Sequence, residues 1–75
     1  MKFVEMTGKS LAALVRDDEI NGEDLQKAGV TDDCVVRINE QGDIELRRPR
    51  GWDVIGGLLG DYQARIRRET GMEWA

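Results

Sequence analysis

Histidine is absent from this 75-residue chain, and cysteine and proline each occur once. A single thiol, Cys34, rules out an internal disulfide. It also rules out a structural zinc site, which needs four ligands drawn mostly from Cys and His. Cys34 also has no histidine partner to activate it as a nucleophile. Aromatic residues are few: two Trp, one Tyr and one Phe. No run approaches the ~20 apolar residues of a membrane helix, and Met1 to Ser10 lacks the apolar core of a signal peptide. A lone free thiol fits a reducing, cytoplasmic setting.

The chain carries 15 acidic and 11 basic residues, for a net charge of −4. Seven of the acids lie between Asp17 and Asp33, against Lys27 alone. Residues 37–75 are balanced, with seven residues of each sign. A net acidic surface disfavours nucleic acid, although Arg37, Arg47, Arg48 and Arg50 form a local cluster of candidate contacts to DNA phosphates. A chain of this length makes one domain, residues 1–75. It buries only about 60% of the surface its unfolded form exposes. With no disulfide or metal to add stability, association with a protein partner or with itself is the expected supplement.

Hydropathy periodicity predicts an α+β fold: an N-terminal strand, two short helices, an antiparallel hairpin and a long C-terminal helix packed on a small sheet. Lys2 to Met6 alternates as a strand does. Ser10 is expected to cap a helix over Leu11 to Arg16. Asn21 caps a second helix, with Glu23 and Asp24 in its first turn and Gly29 at its end. Cys34, Val36, Ile38, Ile44 and Leu46 fall on one face of a hairpin that turns at residues 39–43. Pro49 closes the second strand. Asp53 is read as the cap of an amphipathic helix over residues 52–71. Ile55, Leu58, Leu59, Tyr62 and Ile66 make its apolar face, with Asp61–Arg65 and Arg65–Glu69 pairs on the polar side.

Three glycines, Gly56, Gly57 and Gly60, interrupt that helix. Each costs about 0.8–1 kcal/mol relative to alanine. The interruption permits either a contact groove or close packing on the chain's own sheet. Trp52 is expected to staple the helix start onto the hairpin, and Trp74 to dock against something.

Fragments of known motifs are incomplete. Gly8-Lys9-Ser10 has the end of a phosphate-binding loop, but Phe3 stands where its first glycine belongs. Asp17, Glu19, Asn21 and Gly22 match the start of an EF-hand calcium loop, but Ala28 replaces the closing glutamate. No pair of acids is placed for acid–base work, so the chain is expected to be non-enzymatic, with no cofactor, metal or small-molecule substrate.

Residues 23–49, through Leu25, Gly29, Val30, Val36, Ile38, Gly42, Ile44, Leu46 and Arg47, resemble the AbrB and MazE-type swapped-hairpin proteins. The chain has Asp33-Cys34 where that family has Gly-Asp. The resemblance implies an intertwined, DNA-binding dimer, a transcription regulator or antitoxin, whose C-terminal segment binds a toxin. The residues themselves point first to a non-catalytic interaction or regulatory module. Its expected binding face is Ile55, Leu58, Leu59, Tyr62 and Ile66, with Trp74 alongside.

Overall fold

Among the described residues, four strands run as an antiparallel meander in chain order, with three short helices on one face. The computed structural model describes residues 2–74. The strands are β1 (Phe3–Thr7), β2 (Val35–Asn39), β3 (Asp43–Arg48) and β4 (Gly51–Gly57). The helices are α1 (Gly8–Leu14), α2 (Gly22–Ala28) and α3 (Tyr62–Thr70).

Alternation in the strands decides which side is covered. Val4, Met6, Val36, Ile38, Ile44 and Leu46 point to the helix layer and are buried. Leu11, Leu14, Leu25 and Ile66 meet them from the helices, and Ile20 and Leu58 from the connections. The accessible surface is 4687 Å². A monomer of 8.5 kDa should expose about 4,700 Å² by mass scaling. The chain therefore reaches the compactness usual for a folded chain of its mass.

The hairpin forms as its alternation requires, pairing Val36 with Leu46 and Ile38 with Ile44. Asn39 fixes the turn: its side-chain oxygen accepts from the backbone N–H of Gln41 and Asp43 at 3.0 and 2.9 Å. The second helix also matches its sequence signals. Asn21 accepts from Asp24 N–H at 2.8 Å, and Gly29 closes the helix.

The first helix starts three residues before the expected position. Thr7, not Ser10, is its cap, accepting from Ser10 N–H at 3.2 Å. The chain passes straight from strand to helix because Gly8 lies against another backbone. A Cβ there would stand 1.9 Å from the Thr31 carbonyl oxygen.

The long helix over residues 52–71 is replaced by β4, a connection and the nine-residue α3. Trp52, Val54 and Ile55 are strand-favouring residues beside an open strand edge, whereas a helix there would carry the cost of three glycines. Asp53 is consequently not a helix cap and instead pairs with Arg48 at 3.0 Å. One extra residue, Ile55, falls between the pairs Glu45–Val54 and Ile44–Gly56. This bulge lets Ile55 pack against the core. Gly71 ends α3 as the sequence indicates, its N–H donating to the Arg67 carbonyl at 2.8 Å.

Candidate functional site

The helix layer covers one side of the sheet, and no element among the described residues lies on the other. That outer face is built from the alternate strand positions: Phe3 and Glu5 on β1, Val35 and Arg37 on β2, Glu45 and Arg47 on β3, Trp52 and Val54 on β4. At its centre the Arg37 guanidinium carbon lies 3.6 Å from the Phe3 ring centroid and 4.1 Å from that of Trp52. The cation is thus stacked between two aromatic rings carried by the two edge strands. Glu45, one strand over, binds Arg37 Nη2 at 3.2 Å. Both charged side chains are largely covered, at 21% and 12% exposure. Arg37 Nε is buried without a hydrogen-bond partner among the described residues. Arg47, paired with Trp52 across the β3–β4 ladder, stands 5.6 Å from the same ring. Val35 and Val54 remain 44% and 61% exposed on the same face.

Cation–π contacts of this kind contribute about 0.5–2 kcal/mol each, more as water is excluded. Two of them, with an ion pair, hold Arg37 and Trp52 in fixed orientations. The face therefore presents a pre-ordered aromatic and cationic centre with β-branched residues beside it.

The binding face expected from a continuous helix is divided. Leu58 and Ile66 lie inside the core at 4% and 0% exposure. Ile55 belongs to β4 and is half-buried. Tyr62 donates its hydroxyl to the Glu40 carbonyl at 2.7 Å. Trp74 folds back on the same region, its Nε1–H donating to the Ile38 carbonyl at 3.0 Å and its ring meeting Tyr62 edge-on at 6.1 Å. Only Leu59 of that set stays exposed, at 60%. A cleft of about 190 Å³ beside Trp74 is lined by Glu40, Gln63, Arg67 and Glu73. Ligand sites usually measure about 300–1,000 Å³, and the Arg67–Glu73 ion pair at 2.6 Å already occupies its rim.

The four candidate phosphate contacts do not converge. Arg37 and Arg47 rise from the outer face. Arg48 turns to the other side, where Nη2 donates to the Ala28 carbonyl at 2.9 Å and to Asp53 at 3.0 Å. Arg50 sits in the β3–β4 turn. The hairpin that resembles the swapped-hairpin proteins pairs here with β1 and β4 of its own chain.

The calcium-loop fragment is committed elsewhere. Glu19 accepts from Arg16 N–H at 2.8 Å, Leu59 N–H at 2.6 Å and both terminal nitrogens of Arg65. The hydrogen bond from Arg65 holds the Glu19 carboxyl down at about 2, against the opposing pull of burial. Arg65 is raised above its ordinary value, chiefly by the same bond. Its other donors reach the carbonyls of Leu14 and Leu59 at 2.6 and 2.8 Å. The expected Asp61–Arg65 pair is present at 3.2 Å, but Arg65 faces inward. The Cys34 thiol is half-buried beside Gly8.

Sequence patterns do not reveal the Phe3–Arg37–Trp52 stack. Phe3 and Arg37 are legible as outward strand positions, but Trp52 joins them only once residues 51–57 form a strand. No helix among the described residues is long and apolar enough to cross a membrane. Scans against protein-family models, curated proteins and solved structures find no match to this chain.

Proposed function

We propose that this chain is a non-catalytic interaction module whose protein partner docks on the outer face of the sheet, over the Phe3–Arg37–Trp52 stack. The stack itself carries the reading: an arginine held between two aromatic rings on a sheet face that no described element covers. Trp and Arg dominate binding hot spots because they desolvate large areas while keeping a polar handle. Here both are ordered before any partner arrives, which lowers the entropy cost of docking. Val35 and Val54 extend the face with apolar area. The most strongly perturbed charges, Glu19 and Arg65, are locked in a structural pair within the helix layer, which leaves recognition rather than chemistry as the work of the surface.

The test is affinity capture from an extract of the source cell, using the tagged chain, Val54→Asp and Leu59→Asp. Both substitutions fall on exposed residues, one on the sheet face and one on the β4–α3 connection. A protein retained by the native chain and by Leu59→Asp, but lost by Val54→Asp, is the expected result. Retention that ignores Val54→Asp and depends on Leu59 would contradict the reading.

A further inference from the structure

We infer that the occupant of the outer sheet face is a second copy of this chain, packed face to face; the inference rests on the docking reading above. Charge distribution is the first argument. The net charge is −4, and the segment Asp17–Asp33 concentrates seven acids against one lysine. That segment includes α2, and its Ile20, Leu25 and Val30 pack on the core from the helix side. The central part of the outer face instead balances Glu5 and Glu45 against Arg37 and Arg47. Two copies meeting through their sheets keep both acidic layers on the outside. Meeting through their helices would press those layers together.

Register supplies the second argument. A two-fold axis parallel to the strands lays β1 of one copy over β4 of the other, and β2 over β3. Glu5, Arg37, Glu45 and Val54 form one row across the sheet. Under that axis the row lies over its own reverse. Arg37 faces Glu45 of the second copy, while Glu5 lies over Val54 and diagonal to Arg47. Symmetric pairing of one patch with itself is the commonest form of homo-oligomer, and packed sheets meet with strands near alignment.

Area sets the strength. Four strands at ~4.8 Å spacing and roughly 18 Å length give a projected face of about 350 Å² per copy. With side-chain relief the pair would bury on the order of 1,000 Å², the lower limit of a specific interface. The dimer is accordingly weak and concentration-dependent.

Sedimentation of the full chain from about 10 μM to about 1 mM, a range spanning weak affinities, tests this. The average mass should rise from 8.5 kDa toward twice that value. Val54→Asp, which sets an acid against Glu5 of the second copy, should stay monomeric at the highest concentration. Glu5→Arg should weaken the dimer at least several-fold, and adding Arg47→Glu to it should restore association. A native chain that stays monomeric throughout, while a captured protein is still lost by Val54→Asp, overturns the second copy and leaves the docking face standing. A doubly swapped chain that fails to recover overturns the two-fold arrangement. A dimer broken by Leu59→Asp and not by Val54→Asp overturns both readings.

Discussion

Arg65 and Glu19, 46 residues apart, meet through two parallel bonds, Nη1 to Oε1 at 2.8 Å and Nη2 to Oε2 at 2.6 Å. Their side chains are 4% and 1% exposed. Glu19 ends the acidic loop after α1, and Arg65 sits in α3, one turn from its start. The pair therefore ties the last helix to the connection between the first two. Removing one partner leaves a buried charge alone, which costs about 3–5 kcal/mol. For a chain of this length the whole stability is on the order of 4–11 kcal/mol. Arg65→Ala is expected to lose much of that in denaturant unfolding. Arg65→Lys should rescue only part of it, because one ammonium cannot reproduce the forked pair and the bonds to Leu14 and Leu59.

Acid should unfold the chain through the same carboxylate. Glu19 is lowered from 4.5 to about 2 in the folded state. A group with a depressed folded value stabilises fully above its unfolded value and loses that contribution as pH falls through the folded one. Unfolding free energies measured across pH should fall between about 4.5 and 2 for the native chain. Glu19→Gln, already destabilised at neutral pH, should lack most of that slope. An unchanged slope in the variant would place the acid sensitivity elsewhere.

Glycine substitutions separate close approach from spare room. Gly8→Ala drives a Cβ to within 1.9 Å of the Thr31 carbonyl oxygen, and the neighbour is backbone that cannot turn aside. A loss of about 1–3 kcal/mol or more is expected, as for other overpacked sites. Gly22, in the first turn of α2, has nothing within 4 Å of where an alanine methyl would stand. Gly22→Ala should stabilise by about 0.4–1 kcal/mol through the unfolded chain. Thermal unfolding of the two variants should therefore move in opposite directions.

Trp74 should report the closure of the C-terminal segment. Its indole donates to the Ile38 carbonyl at 3.0 Å, and a neutral hydrogen bond contributes about 0.5–1.5 kcal/mol. Trp74→Phe keeps the ring against Tyr62 and loses the donor, so a cost of about 1 kcal/mol is expected. Acrylamide quenching of a Trp52→Phe variant, which leaves Trp74 as the sole indole, should show a half-shielded fluorophore. Quenching as fast as free indole would contradict the docked placement.

Residues 35–46 are readable because their apolar positions keep a strict period of two, and the turn has Asn39 and Gly42 where such turns need them. Residues 21–30 are readable from the caps at both ends. Residues 52–66 mislead for a physical reason. Ile55, Leu58, Leu59, Tyr62 and Ile66 recur at helical intervals, yet they straddle a strand, a connection and a helix. The contrary signal lies in Gly56, Gly57 and Gly60, each of which costs about 0.8–1 kcal/mol in a helix. Local spacing puts Arg65 on a polar helix face because it offers Asp61 and Glu69. Its true partner is Glu19, and no local pattern reports a contact across 46 residues. The Phe3–Arg37–Trp52 stack is hidden by the same false helix, since it exists only when Trp52 stands in a strand.

The outer face can be tested with most resolution by backbone amide shift mapping. The isotope-labelled chain would be titrated with unlabelled chain and, separately, with any protein captured in the extract experiment. The expected shifts gather at Phe3, Val35, Arg37, Trp52 and Val54, while Leu59 to Thr70 stay in place. Shifts confined to Leu59, α3 and Trp74, with the sheet face unmoved, would contradict the account.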